Sequence, residues 1–162
     1  MEGDVPILVL DDQLAARDEK GHLPAGRNRS ESMFELLKAE GFDAVLYDGR
    51  GKDGVSELQK GRFAAMELVR RLVEEYPGTS EELPLPCNVI LDLKWFDDED
   101  YGRELLAALM EDRSVIVGKV VVWSVITDRV VRRKFFEQFE VPPEQVLDRG
   151  VTPESRILSL FR

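Results

Sequence analysis

The sequence predicts an α/β protein built on a parallel sheet, and three observations carry that reading. Short apolar runs alternate with stretches whose apolar residues recur at helical spacing, the pattern of successive βα units. The first run, Ile7-Leu8-Val9-Leu10, has no polar alternation, as expected of a strand covered on both faces. Two of the runs also stop in acid: Leu10 is followed by Asp11-Asp12, and Val89-Ile90-Leu91 by Asp92. Parallel strands would bring these carboxylates to one carboxyl edge, where open α/β sheets bind their ligands.

The elements follow in order. Val5 to Leu10 is strand one. The polar stretch 13–28, with Gly21, Pro24 and Gly26, is a long connection with room for a helical turn at Leu14 to Asp18. Ser32-Met33-Phe34-Glu35 reads as a capping box. It opens a helix with Met33, Leu36 and Leu37 on one face, stopped by Gly41. Ala44 to Tyr47 is strand two, closed by Asp48-Gly49, and a second polar stretch covers 50–61. The next helix sets Ala65, Met66, Val69, Leu72 and Val73 at helical spacing and ends before Pro77. Its Arg70 and Arg71 read as a solvated edge. A loop from Gly78 to Pro86 leads to strand three, Val89 to Leu91. After Lys94 to Tyr101, a helix buries Leu105, Leu106 and Leu109. Val120 to Trp123 is strand four. Thr127 can cap a helix carrying Val130, Val131, Phe135 and Phe139, which Pro142-Pro143 breaks. Gln145 to Leu147 is a short fifth strand. Thr152-Pro153 is a cap with proline at the first helical position, and the last helix buries Ile157, Leu158 and Phe161. The pattern has no internal repeat and predicts one domain over 1–162, extended by loops at 13–28, 50–61 and 76–86.

Composition narrows the classes. Hydrophobic residues make up 43% and charged residues 33% of the 162 positions, the balance of a folded globular chain. The apolar runs fall short of the ~20 residues that a membrane span needs. The acidic start, Met1-Glu2-Gly3-Asp4, lacks the pattern of a signal peptide, so a cytoplasmic protein is expected. A net charge of −10 disfavours nucleic acid and anionic membranes as direct partners. Cys87 is the only cysteine, so no internal disulfide is possible, and it reads as an inert thiol beside a strand. His22, alone in a polar stretch, reads as an exposed loop residue.

Carboxylates held close raise one another's pKa unless a cation joins them. A hard divalent ion such as Mg²⁺, which takes a few carboxylates plus water, is the simplest such cation. The competing reading of Asp11 and Asp12 is turn and capping chemistry after a strand. Two further strand ends favour the chemical reading. Ser124 follows strand four with a hydroxyl that can donate to an anion. Arg149 follows strand five and offers either positive charge for a phosphoryl group or an ion pair with a nearby carboxylate. Phosphoryl transfer asks for positioning, a metal and charge neutralisation, and these four ends can supply them. Asp97-Asp98-Glu99-Asp100 lacks the ligand spacing and central glycine of a calcium loop and reads as a solvated turn. Trp95-Phe96 before it is either a partner contact or an anchor for that loop.

On these residues the chain resembles the receiver domain of two-component response regulators, from Ile7 to about Phe161. Ile7 to Asp12 looks like the family's first strand with its acidic pair. Val89-Ile90-Leu91-Asp92-Leu93 looks like its third strand with the phospho-accepting aspartate. Val121-Val122-Trp123-Ser124 matches the fourth strand ending in a hydroxyl residue. Val146 to Gly150 falls where the family has a Lys-Pro pair, and Gly102 matches the glycine that opens the third helix. The resemblance implies a flavodoxin-like (βα)5 fold, doubly wound, with five parallel strands in the order 2-1-3-4-5. It implies that Asp92 accepts a phosphoryl group from a phosphohistidine and that Ser124 follows it as the switch hydroxyl. It implies Mg²⁺ on Asp12, Asp11, Asp92 and the backbone carbonyl of Lys94. The implied partners are a sensor histidine kinase or phosphotransfer protein and a downstream protein target. Pairing of two copies near the last helices is a further option of the family. The implied role is a signalling switch rather than an enzyme acting on a separate substrate.

The chain also departs from that pattern. Arg149 replaces the family lysine, and its planar fork is larger than an ammonium. Gly150 replaces the proline, Val146 an aromatic residue, and Val125 a small one. The spacing from Asp12 to Asp92 is longer than usual. These departures motivate the alternative of a pseudo-receiver, an interaction module without a phosphorylation cycle. A hydrolase of the haloacid dehalogenase type would need a second aspartate two positions after the first, where Lys94 stands.

Overall fold

The computed structural model describes residues 5–11, 29–47, 65–95, 99–125 and 127–162. Ile7–Leu10 (β1), Ala44–Tyr47 (β2), Leu85–Leu91 (β3), Val115–Ser124 (β4) and Val146–Asp148 (β5) form one five-stranded sheet. Every pairing is parallel and the order is 2-1-3-4-5. The helices are Arg29–Ala39 (α1), Ala65–Glu74 (α2), Tyr101–Glu111 (α3), Arg129–Phe139 (α4) and Glu154–Ser159 (α5), with a 3-10 turn at Pro143–Gln145. The fold is the doubly wound, flavodoxin-like one expected.

Alternation along the strands divides the core into two layers, because successive side chains point to opposite faces. Leu8, Leu10, Val89, Leu91, Val120 and Val122 join α2, α3 and Phe135 of α4 in one cluster. Ile7, Val9, Ile90, Val121 and Trp123 join α1 and α5 in the other. A bulge keeps β4 in phase with this division. Cys87 pairs with Val117 but Val89 pairs with Val120, so one residue of β3 faces two of β4. Asn88 holds the irregularity by accepting from the Lys119 amide at 2.8 Å. A side chain at Gly118 would stand 2.6 Å from the Asn88 amide oxygen. Before the bulge, Val115 and Val117 pack in the α2/α3 layer; after it, Val120 and Val122 do. The extra residue thus reverses parity, and it decides which way Trp123 and Ser124 face.

Several local expectations change. α1 begins at Arg29, ahead of the capping box read at Ser32, and it buries Ser30 and Glu31 as well as Met33 and Leu37. β3 and β4 are longer than their apolar cores, and β3 takes Leu85 and Pro86 from the expected loop. β5 lies one residue later, at Val146–Asp148. In α2, Leu68, Val69 and Leu72 are buried while Met66 is exposed. Arg70 and Arg71 both pair with Glu67, whose carboxyl they hold below its ordinary range. Asp128 rather than Thr127 caps α4, accepting from the Val131 amide at 3.0 Å. Val130 stands in water. Pro153 precedes α5 in extended conformation, without a side-chain cap from Thr152. Among the described residues no helix is long and apolar enough to cross a membrane.

Candidate functional site

The residues at the carboxyl ends of the strands are fixed by hydrogen bonds that run one residue past the strands. The Asp11 amide donates to the Tyr47 carbonyl at 3.2 Å, Asp92 to Leu10 at 3.0 Å, and Arg149 to Ser124 at 3.0 Å. Asp11, Asp92, Ser124 and Arg149 therefore stand along one edge. Asp12, His22, Phe96, Asp97 and Asp98, and the expected loops at 13–28 and 50–61, lie outside the described residues.

Asp92 sits in a tight turn, nearly buried. Its Oδ1 accepts from the Leu93 amide at 3.0 Å. The Ser124 Oγ lies 3.5 Å from the same amide. The Asp92 carboxylate and the Ser124 hydroxyl, both named from the sequence, are thus brought to one N–H, across two neighbouring strands. Three contacts make the turn rigid. The Trp95 indole donates to the Asp92 carbonyl at 2.9 Å. Trp95 is fully buried and stacks on Tyr101 at 5.9 Å between centroids. The Gly102 amide donates to the Leu93 carbonyl at 2.8 Å, which seats the first turn of α3 on the site. A Cβ at Gly102 would meet the Asp92 carbonyl oxygen and the Leu93 Cα, each at 2.6 Å. The glycine is therefore required by close approach of two backbones.

Arg149 turns toward β1. Its guanidinium donates to Asp11 Oδ2 at 3.0 Å and to Ser30 Oγ at 3.0 Å. Two further bonds reach the Trp123 carbonyl at 3.2 and 2.7 Å. Ser30 in turn donates to Asp11 Oδ2 at 2.9 Å. Asp11 is fully buried and Arg149 nearly so. Of the two roles open to Arg149 from its sequence position, the ion pair with a carboxylate is the one present. Arg29 adds to the cluster: it pairs with Glu154, donates to the carbonyls of Arg149 and Thr152, and lies over the Trp123 ring at 4.7 Å. The Arg149 guanidinium lies over the same ring at 4.9 Å.

Ser30 and Arg29 were missed by reading the sequence, because the capping box at Ser32 drew attention to the wrong serine. The signal that was present is Arg29-Ser30-Glu31 at the end of the polar stretch, where an α1 start would face the same edge.

For a divalent cation, the chemistry of the donors is suitable: Asp11 and Asp92 are hard carboxylate ligands on adjacent strands, with the Lys94 carbonyl just beyond. Among the described residues there is no group of three or more His, Cys, Asp or Glu side chains that could hold a metal, and Asp11 Oδ2 already receives Arg149 and Ser30. A site through Asp11 would share that carboxylate with Arg149 or displace it.

Comparison with protein-family models, with curated proteins and with solved structures returned no match to this chain. The functional reading therefore rests on the fold and the edge residues.

Proposed function

We propose that the chain is a receiver-like signalling module that accepts a phosphoryl group on Asp92 and passes the signal on by protein contact. The observation that carries this reading is the convergence of Asp92 Oδ1 and Ser124 Oγ on the Leu93 amide. In the proposed step a carboxylate oxygen of Asp92 attacks the phosphorus of a phosphohistidine. The P–N bond breaks, its electron pair stays on the imidazole, and the acyl phosphate forms. Mg²⁺, held by Asp11, Asp12, Asp92 and the Lys94 carbonyl, would offset the charge of the incoming phosphoryl group. Ser124 donates to the new anion, and the bonds from the Trp95 indole and the Gly102 amide keep the acceptor in place. The fitting donors are a sensor histidine kinase or a phosphotransfer protein, and the setting is the cytoplasm.

The test is incubation with Mg²⁺ and a small acyl-phosphate donor such as acetyl phosphate, followed by intact-mass measurement. A single hydroxylamine-labile phosphoryl adduct on wild type and none on Asp92→Asn is expected. An adduct of equal yield on Asp92→Asn would move the acceptor elsewhere, and none on either protein would leave the proposal without support.

One observation favours a second reading, the pseudo-receiver. Arg149 already supplies a cation to Asp11 from within the chain. In that reading the edge is a closed structural latch, and Mg²⁺ titration leaves the tryptophan emission unchanged.

A further inference from the structure

α4 packs inward through Phe135, which is buried, and through Val131 and Phe139, which lie partly buried against the same core. Its outer side carries charge that this packing does not use. Arg129, Arg132, Arg133 and Phe136 are exposed and fall at the i, i+3, i+4 and i+7 positions of one continuous helical stripe. Lys134 adds a fourth exposed cation, in a chain whose net charge is −10. No ion pair to any of the four cations is present among the described residues. Like charges at these spacings weaken a helix, and cations in its first half oppose the helix dipole, so helix stability does not account for the stripe. Its four residues and Pro143 line an open cleft of about 310 Å³. Arg129 and Arg133 also line a second open cleft, of about 380 Å³, with Val130. Phe136 is 56% exposed, a large aromatic face left to water beside unpaired arginines.

We propose that this stripe is a binding site for a nucleoside polyphosphate. The phosphates would meet the three arginines, whose planar forks bind phosphate oxygens through two parallel hydrogen bonds. The base would stack on Phe136, since every base offers a face that an aromatic side chain can take. Asp128 already caps the helix, so the arginines rather than the helix end would hold the charge. The choice of a compact anion follows from size and field. From Arg129 to Phe136 the stripe is about 10 Å long, and its positive potential is screened beyond about 8 Å at physiological salt. A nucleotide ends within that range. A nucleic acid or an anionic bilayer would run past the stripe onto the acidic remainder of the chain and be repelled there. Binding at α4 does not require the phosphorylation proposed above.

The probe is ATP carrying a methylanthraniloyl group on its ribose, titrated with the full chain and followed by anisotropy. EDTA is present throughout, which keeps a metal-dependent site at the Asp92 edge out of the reading. Saturable binding that unlabelled ATP competes away is expected. Arg132→Gln/Arg133→Gln should weaken it at least about tenfold, and Phe136→Ser at least about fivefold. Tripolyphosphate, which has no base, should compete less well than ATP. Circular dichroism checks that each variant is folded, and Arg129→Gln, a single change at the exposed start of the helix, is read in the same way if the double variant is not. No saturable binding to wild type, or unchanged binding by folded variants, overturns the inference. Tripolyphosphate competing as well as ATP overturns the nucleotide assignment. Tighter binding of oligodeoxythymidine, phosphatidylserine vesicles or a polyglutamate peptide overturns it in favour of a long polyanion, a membrane or a protein.

Discussion

Arg149 shows how one side chain can set the character of a site. Its guanidinium joins β5 to β1 and α1 through Asp11 and Ser30. Both charges of the pair are largely out of water, so removing one leaves the other uncompensated. Arg149→Ala is expected to destabilise the chain by about 3 kcal/mol in urea denaturation. Arg149→Lys, which keeps the charge and loses the fork, should cost less; a loss below about 1 kcal/mol for the alanine variant would mean the pair is screened like a surface bridge. This partner was not legible in the sequence, because it lies 138 positions away and the family pattern directs attention to the phosphoryl group instead. The position of Arg149 at a strand end was legible, because βα alternation places it there.

Cys87 is a second case at this scale. Burial pushes its thiol from 9.0 up to about 12, so it stays protonated and unreactive, as its sequence setting suggested. Nearby Tyr76 is pushed from 10.0 to about 12, first by burial and then by the charges of Asp43 and Glu75. Both groups have raised folded pKa values, so the unfolded chain ionises first as pH climbs. Their contribution is complete below about pH 9 and is lost as pH rises toward 12. Denaturation midpoints should fall across that window, less steeply in Cys87→Ala, and a thiol reagent at pH 8 should label Cys87 only when urea is present. Rapid labelling of the native chain would contradict this account of its burial.

At the scale of elements, the bulge in β4 and the seat of α3 govern the geometry. The bulge reverses strand parity just before Val120, so Trp123 enters the α1/α5 layer and Ser124 reaches the Leu93 amide. The sequence displayed an apolar run there but not its phase, since a continuous run has no alternation to read. Gly118-Lys119 interrupts that run and was the only hint. The α3 seat was more legible, because Gly102 stands where the pattern the chain resembles has the glycine that opens the third helix. Gly102→Ala is expected to cost about 2 kcal/mol through overpacking against the backbone of Asp92 and Leu93. It should also shift Trp95 emission to the red, since the indole is bonded to the same turn. A variant of wild-type stability and emission would show that the helix yields instead. In α4, four residues looked like core by spacing: Phe135 is buried and Val131 and Phe139 pack partly buried against the same core, but Val130 stands in water.

For the molecule as a whole, strand order is what gathers the edge. The arrangement 2-1-3-4-5 puts β1 beside β3, and β3 beside β4, so that Asp11, Asp92 and Ser124 come from successive strands of the sheet. The succession of strands and helices was recoverable because each strand carries an apolar run and each helix an apolar stripe or a breaker, while the strand order was implied by the resemblance to receiver domains. The long polar connections carry no such periodicity, and Asp12 falls at the start of one of them. The central claim, a phosphoryl-accepting switch at Asp92, is tested most directly by the emission of the two tryptophans. Trp95 is bonded to the Asp92 carbonyl and Trp123 precedes Ser124. Addition of beryllofluoride with Mg²⁺ should give a saturable emission change in wild type that Asp92→Ala abolishes. No change in wild type, or the same change in Asp92→Ala, would contradict the account.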